Sequence, residues 1–135
     1  MKKYCTLLLG VLCAAIIAAC SHNTGRTVTL QNIQTPISSH HHYSNDQIRD
    51  AIVQAGLGRK WMMNQISPGV IDAHLDNRKH SAAVRITYSA SGYTINYVNS
   101  HNLMAENGQI HRNYNRWVNN LDRDIQLKLS AIAVK

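Results

Sequence analysis

The sequence predicts an α+β domain, a four-stranded antiparallel meander with an N-terminal and a C-terminal helix packed on one face, in the order α-β-β-β-β-α. Three observations carry this reading. Apolar residues recur at helical spacing over 44–58 and again over 111–133. Between these segments, four runs read as strands, and short turn-forming stretches separate them.

The first helix begins at Ser44, which suits an N-cap, and Gln47 three residues on completes a capping-box pattern. Ile48, Ala51, Ile52 and Ala55 form its apolar side, and Gly56 and Gly58 are expected to end it. Strands are expected at about 61–66, 70–76, 82–88 and 93–99. The turns between them are Ser67-Pro68-Gly69, 77–80 and 89–92.

Register follows from parity, because alternate residues of a strand face opposite sides. Ile71, Ala73 and Leu75 share a side, as do Ala82, Val84, Ile86 and Tyr88, and Tyr93, Ile95 and Tyr97. Pairing Tyr88 with Tyr93, Ile86 with Ile95 and Ala73 with Val84 brings all of these onto one face. The other face is then polar, with Asp72 opposite Arg85 and Arg85 opposite Asn96. In the first strand Trp61 and Met63 point one way and Met62 and Ile66 the other, so its faces stay open.

The last helix carries Tyr114, Trp117, Val118, Leu121, Ile125, Leu129 and Ile132 along one side, a stripe that should cover the sheet. Arg112, Arg116, Asn119 and Arg123 fall together on the opposite side, as a solvated face or as a surface for anionic headgroups or an acidic partner.

The chain opens on Met1, Lys2 and Lys3, followed by an almost unbroken apolar run over 7–19. This is the pattern of a signal peptide, and the run is short for a membrane span of roughly 20 residues. It ends in Ile17-Ala18-Ala19-Cys20, which resembles the lipobox of bacterial lipoproteins, with Ile17 where that family usually has Leu. The resemblance covers residues 1–20. It implies a diacylglycerol thioether on Cys20, cleavage before it and acylation of the new amine, with covalent lipid as the only cofactor. Ser21 in place of Asp implies sorting to the outer membrane, facing the periplasm. The expected organisation is a signal peptide at 1–19, a lipidated flexible tether at 20–43, rich in Ser, Thr, Asn, Gln and His, and one domain at 44–135.

Cleavage would remove Cys5 and Cys13 and leave Cys20 alone, so no disulfide can form in the mature chain. It would also remove two lysines and lower the formal net charge from +7 to +5. A second resemblance rests on Ile110-His111-x-x-Tyr114-Asn115-x-Trp117-Val118-x-Asn120-Leu121. That segment is similar to a pattern in small uncharacterised proteobacterial lipoproteins, extends over about 48–129, and names no activity.

The residues point to binding rather than catalysis. Gly-x-Ser-x-Gly, His-Glu-x-x-His and phosphate-loop motifs are missing, and Glu106 is the sole glutamate. Asp72, His74 and Asp76 alternate along one strand face, as a solvated row or as an acid-base or metal-binding one. Ser100-His101 has no positioned third partner. His40, His41 and His42 carry the alternative reading, a histidine-dependent metal-binding envelope protein, although three adjacent imidazoles need further ligands to enclose one ion.

Under the meander, the start of the first strand and the ends of the second and fourth meet at one edge. Arg59, Lys60, Arg78, Lys79, His80 and His101 gather there, as exposed turn residues or as a site for phosphate or carboxylate. The expected partners are the membrane through the lipid anchor and an envelope protein, peptidoglycan or anionic lipid. Nucleic acid is disfavoured by the address.

Overall fold

The computed structural model describes residues 25–133; the signal segment 1–19 and Cys20 expected from the lipobox lie outside the described residues. The elements run β1 (Thr27–Thr29), β2 (Ile33–Pro36), α1 (Asn45–Gly58), β3 (Met62–Ser67), β4 (Val70–Asn77), β5 (His80–Ser89), β6 (Gly92–His101), β7 (Gln109–His111) and α2 (Arg112–Ala133). The fold class is α+β, with a five-stranded antiparallel sheet in the order β2-β6-β5-β4-β3 and a separate antiparallel pair, β1-β7.

The inner strands pair as parity requires. Ile86 faces Ile95, Tyr88 faces Tyr93, Ala73 faces Val84, and Arg85 lies between Asp72 and Asn96. Their inward side chains pack with Ile48, Ile52, Leu121 and Ile125 from the two helices into one core. Each such side chain taken from water contributes about 1.5–3 kcal/mol, enough to settle which face is inside. β3 is now assigned as well. Met63 and Gln65 stand opposite Ala73 and Ile71 on the covered face, and Met62 and Asn64 stand opposite His74 and Asp72 on the wet one.

The four-stranded meander is corrected to five strands, and the tether at 20–43 is corrected from Thr27 onward, where β1 and β2 begin. Once β6 has paired with β5, its other edge presents backbone groups that need partners. β2 supplies them through Ile33–Ile95 and Thr35–Tyr93. Pro36 closes this outer strand, a position where a missing N–H costs no ladder bond. The strand is held from above too, because Thr35 Oγ1 and the Tyr93 hydroxyl both donate to Asp122 Oδ1 of α2, at 2.7 and 2.6 Å. Burial and that carboxylate push the Tyr93 phenol well above its ordinary range.

α1 starts as the capping box requires, with Ser44 Oγ accepting from the Gln47 N–H and Gln47 Oε1 accepting from the Ser44 N–H. Its end differs from expectation. Gly56 lies inside the helix, where a side chain would collide with Met63. The left-handed residue that closes the helix is Lys60, at φ 67°. The Trp61 N–H bonds to the Gly56 carbonyl at 2.9 Å and the Lys60 N–H to the Leu57 carbonyl at 3.0 Å. This is the Schellman pattern, with lysine where glycine is usual.

Candidate functional site

At the basic edge the structure separates the six expected residues into two groups. The first lies where the end of α1, the end of β4 and the second turn of α2 meet. Arg59, Lys60 and Arg78 line a cleft of about 290 Å³ there, together with Trp61 and Trp117. Both indoles are nearly buried, at 2% and 8% exposure, so they form a rigid floor rather than a mobile cage. Neither indole N–H is engaged in a hydrogen bond among the described residues.

The three cations are not equivalent. Arg59 is already committed, since its Nε donates to Asp124 Oδ2 at 2.5 Å and its Nη2 to Oδ1 at 3.1 Å. This guanidinium holds the Asp124 carboxyl below the usual aspartate value. Lys60 and Arg78 have no carboxylate partner among the described residues, where the ion pairs involve Arg49, Arg59, His74 and Arg85. Both also sit at positive φ, 67° and 59°, a backbone region that costs a side-chain-bearing residue of order 1 kcal/mol or more. Asp76 also lines the cleft, but its Oδ1 lies 3.0 Å from His74 Nε2. The cations of the cleft without a carboxylate partner among the described residues are thus the Lys60 ammonium and the Arg78 guanidinium, beside the Asn77 amide and the Asp76 carboxylate, which keeps one oxygen free of His74. The two cations are the groups there that suit a carboxylate or phosphate.

The second group is centred on His80. Its Nδ1 lies 2.7 Å from the Asn102 carbonyl and therefore donates to it. The His80 ring stacks on that of His111 with centroids 6.1 Å apart. His111 Nδ1 accepts from the Asn113 N–H at 3.1 Å, in the place of an N-cap for α2. That bond needs the lone pair on Nδ1, so the proton resides on Nε2. Burial first, then His80, Arg112, Arg26 and Arg116, push the His111 imidazole below its ordinary value. Lys79 is joined to this group through its backbone, the carbonyl accepting from Asn102 Nδ2 at 3.1 Å. His101 lies opposite Ser81 in the register, at the same end of the sheet.

Comparison with protein-family models finds no match. Comparison with curated proteins and with solved structures finds none either.

The other sequence candidates are placed as follows. Asp72 is clamped by Arg85, with Nε to Oδ1 at 2.7 Å and Nη2 to Oδ2 at 2.8 Å, so the outward row on β4 is divided between two internal pairs. His40, His41 and His42 are exposed, and the His41 ring packs beside that of Tyr43. Among the described residues no group of three or more histidine, cysteine or acidic side chains is placed to hold a metal. Arg116 and Arg123 bond to Asn113 and Asn120 of their own helix, and Asn119 bonds to Gln31.

Two participants escaped the sequence reading. Arg26 lay in the expected tether, and His111 read simply as the start of a helix. Both are positioned by the β1–β7 pair, in which Thr27 faces His111 across some eighty intervening residues. No local pattern announces a three-residue strand.

Proposed function

We propose that this protein is a lipid-anchored, non-catalytic binding module of the cell envelope, tethered through an acylated Cys20 to the periplasmic leaflet of the outer membrane. Its cleft takes an anionic group of an envelope protein, of peptidoglycan or of a lipid. The anchor is supported by Ile17-Ala18-Ala19-Cys20 behind a charged start and an apolar run. The binding role is supported by one observation above the others. Lys60 and Arg78, without a carboxylate partner among the described residues and both in left-handed backbone, line one cleft. Left-handed backbone of this kind recurs at ligand sites, and here the helix end at Lys60 and the β4–β5 turn at Arg78 are what bring the two cations to one cleft. Arg59 supports the cleft by joining its two helical walls.

The test combines mass measurement with capture. The chain purified from membranes should begin at Cys20 and carry acyl chains. Crosslinking in intact cells should then capture a partner that a Lys60→Gln/Arg78→Gln variant of unchanged melting temperature loses. A variant that keeps every partner removes the cleft from consideration, and an unacylated Cys20 removes the anchor.

A further inference from the structure

The second cationic group has a position that the first does not. The Arg26 carbonyl accepts the N–H of Arg112, the first residue of α2, at 2.8 Å. Arg26 stands six residues after Cys20. Six residues of extended chain reach at most roughly 20 Å, so a bilayer holding lipid on Cys20 cannot be far from the amino end of α2. The turn joining β5 to β6 lies at the opposite end of the ten-residue strand β5, roughly 30 Å away at the ordinary rise per residue.

The near end also carries positive charge that has no carboxylate partner among the described residues. Arg26 and Arg112 form no ion pair among the described residues, and Arg116 bonds only to the neutral Asn113 amide. His111 faces this group with a proton on Nε2, because its Nδ1 is occupied by the cap bond. His80, stacked on it, donates from Nδ1 to the Asn102 carbonyl, so it holds the His111 ring in place and brings no second N–H to an anion. Guanidinium groups meet phosphate through two parallel N–H donors, a geometry that ammonium groups lack.

We propose that Arg26, Arg112 and Arg116, with the His111 Nε2–H beside them, seat the phosphates of anionic phospholipid headgroups and press the amino end of α2 onto the bilayer. This rests on the anchored reading above. Its consequence is a fixed orientation: the β5–β6 turn points away from the bilayer, and the Lys60–Arg78 cleft opens beside the membrane rather than into bulk solvent. Surface attraction of this kind acts within about 8 Å at physiological salt, so the short link from Cys20 is what makes it effective.

The test uses the lipidated protein in vesicles of phosphatidylcholine, with or without phosphatidylglycerol, and a quencher attached to the lipid headgroup. A fluorophore is placed either at Asn77→Cys, paired with His80 in the register, or at Ser91→Cys, in the β5–β6 turn. With phosphatidylglycerol present, the Asn77→Cys probe should be quenched several-fold more than the Ser91→Cys probe. Each basic residue near an anionic surface adds roughly a factor of five to occupancy. An Arg26→Gln/Arg112→Gln/Arg116→Gln variant should therefore lose quenching at the Asn77→Cys probe several-fold, as should omission of the anionic lipid. Quenching at Asn77→Cys that is undiminished in the variant overturns the assignment, as does equal quenching of the two probes in the unmodified protein. An adduct mass on Cys20, read beforehand, separates the two readings. Without acyl chains the anchor fails and takes this inference with it, whereas an acylated protein quenched alike at both ends loses only this inference.

Discussion

Arg59, at the carboxyl end of α1, grips Asp124, on the fourth turn of α2, through two hydrogen bonds that close the two helices over the sheet. One of the six residues expected from the sequence to receive a ligand is thereby turned into part of the scaffold. Lys60 and Arg78 remain as the groups able to respond to an anion.

Replacing Asp124 by Asn keeps the side chain's size and releases Arg59 into the cleft. The expected result is a small fall in melting temperature, since the pair is partly exposed and screened, together with tighter binding of a dicarboxylate probe in a titration. The loss has a defined pH window. The pair lowers the aspartate value on folding, so its contribution is complete above about pH 4 and disappears as pH falls through the lowered value. A variant that binds the probe more weakly would show that Arg59 serves the ligand through its present position.

His111 predicts a second pH dependence of opposite chemical origin. Folding lowers its value, which means that the folded protein prefers the neutral ring. Stability is therefore full above about pH 6.5 and falls as acid protonates the unfolded chain first, until the lowered folded value is passed. His111→Asn should cap α2 without titrating and flatten the melting-temperature profile between pH 7 and 5. His111→Ala should cost about 1 kcal/mol at pH 7.5 through the lost cap. If His111→Asn leaves the acid slope unchanged, another group is responsible for it.

Lys60 separates stability from function. Substitution by glycine relieves the left-handed strain at φ 67° and should stabilise the fold by about 0.5–1 kcal/mol, visible as a rise in melting temperature. The same change should weaken anion binding, because the ammonium is gone. Loss of stability instead would mean that the lysine side chain contributes more packing than the backbone loses.

Gly92 tests the strand that the sequence reading missed. It faces Pro36 across the β2–β6 pairing, and a Cβ there would lie 2.6 Å from the Thr35 carbonyl oxygen. Gly92→Ala should push β2 outward and cost about 1–3 kcal/mol. Amide hydrogen exchange should accelerate first in β2 and in its partner β6. Unchanged protection there would contradict the pairing.

The inner sheet and both helices were legible because local rules agree with one another. Alternation along β4, β5 and β6 puts Ile71, Ile86 and Ile95 on one face, turn lengths then set the register, and the Ser44–Gln47 capping box marks the start of α1. The covering stripe of α2 follows from helical spacing over several turns. These are properties of neighbouring residues, and the cost of exposing a misaligned apolar face leaves little choice between alternatives.

What only the tertiary structure decided depends on residues far apart in the chain. β1 and β2 are short and carry few apolar residues, and they are strands because β7 and β6 offer them unpaired backbone, not because their own residues demand it. Likewise six basic residues could be assigned to one edge from topology, but whether each is free depends on its counter-charge. Asp124 reaches Arg59 from a helix 65 residues away, and β1 carries Arg26 to the start of α2. Apolar periodicity records which side of an element is buried; an ion pair between distant elements leaves no periodicity, and so the division of that edge into scaffold and binding surface appears only in the folded chain.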